Sequence, residues 1–354
     1  MAKKPDSHPV LSCAAASVWE EQLLGGDNVA QWQAMSAAGY SLAEAIGRDA
    51  EEVGGLPEAA RILVLAGKGH NAGDALIAAR ILLADRPSRA VSVAFVLGER
   101  DLRPLARRAW RELSALGASV TQLAGPGDAG IGYDLAIDGV FGFSYRPPLR
   151  AAAVVWLRWA NAVSARMRVA VDLPSGLDEP EAFRADFTYA TGIVKSPLLG
   201  AANAGRLRYL DLGFFADAMP EDEGDRVLAT EVLAPLRAGR PAASDKRSFG
   251  HVLLIGGSRI YPGAIMLATQ SALRSGVGLV TAAVPETLAA AYAAAVPEVM
   301  WVGCPETPEG GLALEAAGLI RARAVGHRTW FGARAGEFGV GGGAVEGRRS
   351  PDGA

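Results

Sequence analysis

Two hydrophobic periods alternate along the chain. Short apolar runs, typical of buried strands, alternate with longer stretches in which apolar residues recur at helical spacing. The predicted strands of the first half are residues 62–66, 90–97, 119–122, 134–138, 168–172, 186–190 and 205–211. The predicted helices between them are residues 74–84, 101–116 and 152–165. Repeated strand–helix units predict a parallel sheet with helices on both faces.

The stretch before the first strand has a different pattern. Residues 1–28 show neither period clearly, so we expect a loose N-terminal arm. Over residues 29–52 apolar residues such as Trp32 and Met35 recur at helical spacing, with Gly39 interrupting the pattern. One or two packing helices are predicted there.

A second α/β pattern follows a change in composition. Within residues 217–243, an acidic, turn-rich segment (219–225) and a basic, turn-rich segment (237–241) favour a linker. Strands are then predicted at residues 251–255, 279–284 and 298–302, and helices at 264–275, 286–295 and 313–323. From residue 324 the chain is rich in Gly and Arg without either period, which predicts a disordered tail. The expected organisation is an arm (1–28), a first domain (29–216), a linker (217–243), a partial second domain (244–323) and a tail (324–354).

Composition narrows the class of protein. The 354 residues are 50% hydrophobic and 21% charged, as in a packed globular protein, and the net charge of -3 argues against nucleic acid or an anionic membrane as partner. No apolar run reaches the roughly 18–20 residues of a membrane span. Cys13 and Cys304 are far apart in sequence and predict no disulfide framework. A cytoplasmic location is the expectation from these features.

The first candidate for chemistry is the loop after the first strand, GKGHNAGD at residues 67–74. A strand, a loop of small residues and a helix start can present backbone N–H groups to an anion. Asn71 and Asp74 add side-chain oxygens, and His70 is either a ligand contact or a polar rim residue. A tight turn without a ligand stays open as the alternative, since glycine-rich turns are common.

Two later strands end in carboxylates. Asp138 and Asp172 each begin a loop, and the carboxyl ends of parallel strands share one edge, so both should converge on Asn71 and Asp74. Taken singly, an Asp at such a place is usually a helix cap or a turn residue. Gathered carboxylates usually need a cation. The oxygens of Asn71, Asp138 and Ser175 would suit a hard cation, whereas the sequence has no His/Cys cluster for zinc.

These motifs resemble those of the bifunctional NAD(P)H-hydrate repair enzymes. The sequence GKGHNAGDA at 67–75 is similar to the epimerase loop of that family, whose usual core is N-N-G-G-D-G. The sequences IDGVFG at 137–142 and VDLPSGLD at 171–178 match two further signatures. MSAAG at 35–39 resembles an early helix motif, and KSP at 195–197 resembles a late K-x-G loop.

The resemblance, which covers about residues 10–215, implies an NAD(P)H-hydrate epimerase acting on NADHX and NADPHX. Interconversion of the R and S forms needs an acid/base group, which we assign to Asp172. The resemblance implies a potassium ion held by Asn71, Asp138 and Ser175, and it makes a homodimer plausible. The predicted substrate contacts are His70, Asn71, Ala72, Gly73, Asp74, Gly142, Phe143, Ser144, Tyr145, Arg146, Pro147, Pro148, Asp172 and Ala264.

The second domain resembles the opening of the ADP-dependent NAD(P)H-hydrate dehydratase. The matching segments are residues 246–258, 261–264 and 272–281, and the match stops near Arg323. The later motifs G-P-G-L-G, P-H-P-G-E and G-x-G-D are absent from residues 244–354, so we expect this half, which would use ADP or ATP, to be inactive. The predicted fold class is α/β, a Rossmann-like parallel-sheet sandwich followed by an incomplete ribokinase-like α/β domain.

Two other functions remain open from the sequence. His70, Ala72 and Ala75 stand where the epimerase family usually has Asn, Gly and Gly, and an added Cβ can crowd a ligand or a left-handed backbone. A non-catalytic dinucleotide-binding or interaction protein on a degenerate epimerase fold is therefore the alternative. The third possibility is a ribokinase-like small-molecule kinase, against which the missing G-x-G-D loop argues.

Overall fold

The computed structural model describes residues 6–127, 131–220, 224–234 and 239–324, and the strand at 329–332. The chain divides into two compact units between Arg237 and Ala238. Strands of the first unit are β1 (Ser7–Leu11), β2 (Arg61–Ala66), β3 (Ala90–Phe95), β4 (Val120–Gln122), β5 (Tyr133–Gly139), β6 (Ala165–Val171), β7 (Phe187–Thr191), β8 (Val194–Lys195), β9 (Arg206–Leu210) and β10 (Arg226–Leu228). Its helices are α1 (Cys13–Leu24), α2 (Asn28–Glu51), α3 (His70–Asp85), α4 (Pro104–Ser114) and α5 (Ala151–Ala162).

The first unit is built on a parallel sheet of seven strands. The strand order is β4-β3-β2-β5-β6-β7-β9, and every neighbouring pair is parallel. The chain runs outward from β2 through β3 to β4 and then returns to β5 on the other side of β2. The order of the strands therefore reverses between β2 and β5, which is where open α/β sheets bind ligands.

Both faces of this sheet are covered by helices. Ile62 and Val64 of β2 pack into the core shared with α2, α3 and α4. The alternate residues Leu63 and Leu65 pack into the core shared with α5. Because side chains alternate along a strand and both faces are buried, β2 is apolar at every position from residue 62 to residue 66, as the sequence pattern indicated.

The predicted loose arm at residues 1–28 is wrong for the residues that the structure describes. Strand β1 lies between β10 and β8 in a small three-stranded sheet, and the side chain of Ser12 caps α1 by accepting a hydrogen bond from the amide of Ala15. Helix α2 is a single helix that continues through Gly39. A Cβ at Gly39 would lie 2.5 Å from Cγ2 of Ile77, so glycine is needed for the close approach of α2 and α3.

Part of the predicted linker (217–243) also belongs to the first unit. Strand β10 pairs antiparallel with β1, from Ser7 opposite Leu228 to Pro9 opposite Arg226. The small sheet therefore joins the beginning of the unit to its end, which composition alone did not indicate.

The second unit has its own parallel sheet. Its elements are β11 (His251–Ile255), α6 (Gly263–Arg274), β12 (Leu279–Pro285), α7 (Glu286–Ala295), β13 (Met300–Cys304), α8 (Ala316–Ala324) and β14 (Thr329–Gly332). The strand order is β13-β12-β11-β14, with all pairs parallel.

Strand β14 lies inside the predicted disordered tail (324–354), so that prediction is wrong for these four residues. Residues 325–328 and 333–354 lie outside the described part of the chain. The predicted α/β fold class is confirmed in both units. Among the described residues, no helix combines the length and the hydrophobicity that a membrane crossing requires.

Candidate functional site

A cavity of about 600 Å³ opens at the point where the strand order reverses in the first unit. The loops after β2 and β5 line it together with Asp172 after β6, and α1 contributes further residues, among them Glu20. This volume is within the usual range for small-molecule and cofactor sites.

Asp172 and Lys195 form a buried ion pair that reaches this cavity. The Nζ of Lys195 lies 2.5 Å from Oδ1 of Asp172, and neither side chain is more than 3% exposed. The other oxygen of Asp172 accepts a hydrogen bond from the amide of Phe143 at 3.2 Å. Asp172 has a φ of 67°, a left-handed conformation that is uncommon for a residue other than glycine and is often found at functional sites.

Asn71, in the first turn of α3, ties the ends of three strands together. Its side-chain amide donates hydrogen bonds to the backbone carbonyl oxygens of Phe141 at 2.9 Å and Val171 at 2.7 Å. A Cβ at Gly142 would lie 2.9 Å from Oδ1 of Asn71 and 3.1 Å from Oδ2 of Asp172. Glycine at position 142 thus lets the loop after β5 pass close to both side-chain oxygens.

Asp138 has a different environment from Asp172. Its carboxylate is fully buried and accepts hydrogen bonds from the hydroxyl and the amide of Ser175, both at 2.7 Å, and from the amide of Val140 at 3.1 Å. Burial raises the pKa of Asp138 to about 6, although the hydrogen bonds from Ser175 and Val140 act in the opposite direction. Asp138 does not line the cavity. Its hydrogen bonds with Ser175 instead hold the loop after β6 at the end of β5.

The potassium ligands predicted from the resemblance form one connected network. Ser175 bonds directly to Asp138 and accepts a hydrogen bond from the amide of Phe141, whose carbonyl is held by Asn71. In the parts of the chain that the structure describes, no cationic side chain forms a salt bridge with the buried Asp138, and no group of three or more His, Cys, Asp or Glu residues is arranged to hold a metal. Carboxylate, hydroxyl and carbonyl oxygens are the donor type that hard cations prefer in proteins.

Two further carboxyl groups lie near Lys195. Asp74 is 7% exposed, and its Oδ1 has no hydrogen-bond partner among the described residues. Burial raises the pKa of Asp74 well above its ordinary value, and Asp172 and Glu20 add to this effect. Oε1 of Glu20 lies 3.8 Å from Nζ of Lys195, and burial raises the pKa of Glu20 to about 7. Asp172 and Glu20 therefore lie within 4 Å of one ammonium group, and Asp74 is coupled to the same group electrostatically.

Lys195 and Glu20 were not among the site residues predicted from the sequence. Lys195 did carry a signal, since it lies in the K-x-G-like segment at 195–197. Glu20 lies in the segment that was predicted to be a loose arm, where a run of alanines hides the period of α1. Only the packing of α1 beside α2 and strand β1 brings Glu20 to the cavity.

Most of the predicted substrate contacts come together. Those that line the cavity are His70, Asn71, Asp74, Gly142, Phe143, Ser144, Tyr145, Arg146, Pro148 and Asp172. Burial and the neighbouring Arg103 lower the pKa of His70. Ala72 and Gly73 are buried in α3 and do not line the cavity, and neither does the exposed Pro147. Ala264 is exposed in the first turn of α6, in the second unit.

The substitutions relative to the epimerase motif cause less crowding than the sequence indicated. Ala72 and Ala75 are fully buried in α3, so their Cβ atoms belong to the core and not to the cavity wall. Neither has a positive φ, which among the described non-glycine residues occurs only at Asp172 and Asp178.

The cavity lining carries both signs of charge. Its acidic side chains are Glu20, Glu21, Asp74 and Asp172, and its cationic side chains are Lys68 and Arg103 beside the loop after β2 and Arg146 and Arg150 after β5. The first turn of α3 has no side-chain cap, which leaves its backbone N–H groups free to face an anion. A ligand with both a cationic part and an anionic part would match this lining.

Comparisons with known proteins agree with the two units. A family model described as "YjeF-related protein N-terminus" matches residues 32–196, and a model described as "NAD(P)H-hydrate dehydratase" matches residues 252–327. The chain is 36% identical to a bifunctional NAD(P)H-hydrate repair enzyme Nnr of Gloeobacter violaceus, over 79% of this chain and 56% of that protein. The protein of the same name from Moorella thermoacetica is 33% identical over 80% of this chain and 55% of its own length.

The chain thus spans about half the length of the curated relatives it matches. A crystal structure of a yeast protein aligns with 62% of this chain and 100% of its own at 20% identity, with a TM-score of 0.47.

Proposed function

By its two matched regions the chain belongs to the family of NAD(P)H-hydrate repair proteins, and we propose that its first unit interconverts the R and S forms of NAD(P)H hydrates. The observation that carries this proposal is the buried Asp172–Lys195 pair at the cavity where the strand order reverses. This pair offers a proton-transferring carboxylate beside a space for a nucleotide.

The chemistry needs a negative environment and a proton acceptor. In the hydrate, a hydroxyl group is attached to the carbon beside the ring nitrogen. Its departure leaves an iminium-like cation, and water that returns to the other face produces the other epimer. Carboxylates at the cavity stabilise the cation electrostatically, and Asp172 takes the proton of the returning water.

Charged groups of both signs at the cavity suit the two parts of the substrate. Lys68, Arg103 and the first-turn amides of α3 suit the phosphates of the dinucleotide, whereas Asp172 and Glu20 suit the reacting ring. Both NADHX and NADPHX fit this description, since the charge of the ring is the same in the two.

Potassium is part of the proposal, with Asn71, Asp138 and Ser175 as its ligands. When bound, the ion would supply a positive charge that offsets the buried Asp138 carboxylate and would hold the loops after β5 and β6 together.

The direct test follows the exchange of pure R-hydrate into S-hydrate with the purified full chain. We expect exchange well above the spontaneous rate, and a loss of about 10²-fold or more in Asp172→Ala. Asp85→Ala, which removes an exposed carboxylate at the far end of α3, is the matched control and should exchange at the normal rate. Binding of dinucleotide without exchange would favour the non-catalytic alternative, and unchanged exchange in Asp172→Ala would remove the role assigned to that residue.

The inactivity of the dehydratase half stays a prediction, supported by the absence of a G-x-G-D motif from residues 244–354. Its test supplies ADP or ATP with S-hydrate and follows the recovery of NADH by absorbance. We expect no recovery above the control without nucleotide, and robust recovery would show the prediction to be wrong.

A further inference from the structure

The carboxyl of Glu20 lies at the cavity without a role in the proposed chemistry. It belongs to α1, whereas Asp172 and Lys195 belong to the large sheet and the small sheet. The Nζ of Lys195 lies 2.5 Å from Asp172 and 3.8 Å from Glu20. One buried ammonium therefore connects two carboxyl groups that come from distant parts of the sequence.

The two carboxyl groups differ in how their negative charge is supported. Asp172 has the short contact with Lys195 and accepts a hydrogen bond from the amide of Phe143. Within the described chain, Glu20 accepts no hydrogen bond and has only the longer contact with Lys195. Asp172 thus has more donors for a negative charge than Glu20 has, and two carboxyl groups in such different environments suit the roles of a base and an acid.

Burial also favours the protonated form of Glu20, more strongly than the neighbouring charges oppose it. Burial raises the pKa of Glu20 to about 7, Lys195 on β8 lowers it in part, and Asp172 raises it further. Asp74 on α3 is also coupled to Glu20 and has a raised pKa. A protonated Glu20 is therefore accessible at neutral pH.

We propose that Glu20 is the general acid that protonates the departing hydroxyl group, that Asp172 is the base for the returning water, and that Lys195 carries the proton back from Asp172 to Glu20. This inference rests on the proposed function, because it assigns the second proton transfer of the same reaction.

The steps balance with water as the only co-reactant. Glu20 gives its proton to the hydroxyl oxygen, the C–O bond breaks with its electron pair on oxygen, and water leaves while the ring nitrogen lone pair forms a C=N bond. Water then adds to the other face, the π electrons return to nitrogen, and Asp172 accepts the released proton. Finally, Lys195 gives a proton to Glu20 and takes the proton from Asp172, so each group returns to its initial state.

The alternative is that Glu20 only offsets the charge of Lys195. A purely electrostatic role could affect the rate, but it would leave the pH dependence of the reaction in place. A general acid has to be protonated, so the rate should fall as the pH rises through about 7. The pH profile therefore separates the two roles.

The experiment measures R-to-S exchange by the full chain between pH 5.5 and 9, a range of roughly 1.5–2 pH units on each side of the Glu20 pKa. The spontaneous exchange is subtracted at each pH. In Glu20→Gln we expect kcat to fall about 10²–10⁴-fold, KM to change by less than about threefold, and the decline near pH 7 to disappear. Glu20→Asp should keep part of the rate and the decline. Glu44→Gln, which removes an exposed carboxylate from α2, should behave as the unaltered protein.

Each outcome decides one point. If Glu20→Gln keeps the normal rate or the normal pH profile while Asp172→Ala is inactive, this inference is wrong and the proposed function stands. If the unaltered chain shows no exchange, the proposed function itself fails. Should Glu20→Gln lose its fold by circular dichroism, the rate and pH profile of Glu20→Asp decide: the inference requires a slower rate with the decline near pH 7 retained.

Discussion

At the end of β5, the Asp138 carboxylate accepts three hydrogen bonds from Ser175 and Val140 and is sealed in the interior. At the end of β6, the Asp172 carboxylate accepts one hydrogen bond from the amide of Phe143 and one from the ammonium of Lys195, beside the cavity. Both residues are aspartates at the carboxyl ends of neighbouring strands. What differs is the set of donors around each carboxylate: hydroxyl and amide groups hold Asp138, whereas the ammonium of Lys195 contacts Asp172 beside the cavity. This difference supports the proposal that Asp138 holds the loops and that Asp172 takes part in the chemistry.

The largest effect is expected for Lys195→Met. It leaves the Asp172 carboxylate buried without its partner, so the free energy of unfolding should fall by about 3–5 kcal/mol, and exchange should fall at least about 10²-fold. The double variant Asp172→Asn/Lys195→Met removes both charges and should regain most of the stability but none of the exchange. Denaturant unfolding and hydrate exchange measure the two quantities. A single variant as stable as the unaltered chain would show that the pair is not buried as described.

A smaller effect is expected for Asp138→Asn. The amide cannot accept all three hydrogen bonds, so unfolding should become easier by about 1–3 kcal/mol. Exchange should fall by no more than about tenfold, because the loops shift while Asp172 and Lys195 remain. The same two assays apply. A loss of exchange as deep as that of Asp172→Ala would contradict the separation of the two carboxylates.

Gly142→Ala tests the loop that passes between the two environments. Its Cβ would lie 2.9 Å from the Asn71 oxygen and 3.1 Å from the Asp172 oxygen, so the loop must shift by a few tenths of an ångström. We expect exchange to fall several-fold, to about tenfold, with little change in the unfolding midpoint. Gly127→Ala, where a Cβ meets open space, is the control. Normal exchange in Gly142→Ala would mean that the loop can yield without disturbing the site.

The sheet and the ends of its strands could be predicted from the sequence, whereas the side chains that contact the residues at those ends could not. Short apolar runs located β2, β5 and β6, because a buried strand has a local sequence pattern. The rules for connecting parallel strands then placed Asn71 and Asp172 at one cavity. Glu20 could not be placed that way, because its position depends on how α1 packs. The difference between Asp138 and Asp172 was equally hidden, since it is decided by contacts across 37 and 23 positions of the sequence, to Ser175 and Lys195.

The smallest effect is expected for Glu20, and it gives the most direct measurement of how burial changes the pKa of a carboxyl group. Its pKa is raised to about 7, so the folded state holds a proton that the unfolded state releases near its ordinary value of 4.5. The stabilising contribution of the neutral form is therefore present below pH 4.5 and is lost as the pH rises through about 7. Since 24% of the side chain is exposed, the effect should be on the order of 1–2 kcal/mol, or a few degrees in Tm.

Glu20→Gln cannot ionise, so its stability relative to the unaltered chain should increase from pH 5 to pH 8 in thermal unfolding. A constant difference over that range would mean that Glu20 is ionised as readily as a surface carboxylate, and the contrast between it and Asp172 would then have no electrostatic basis.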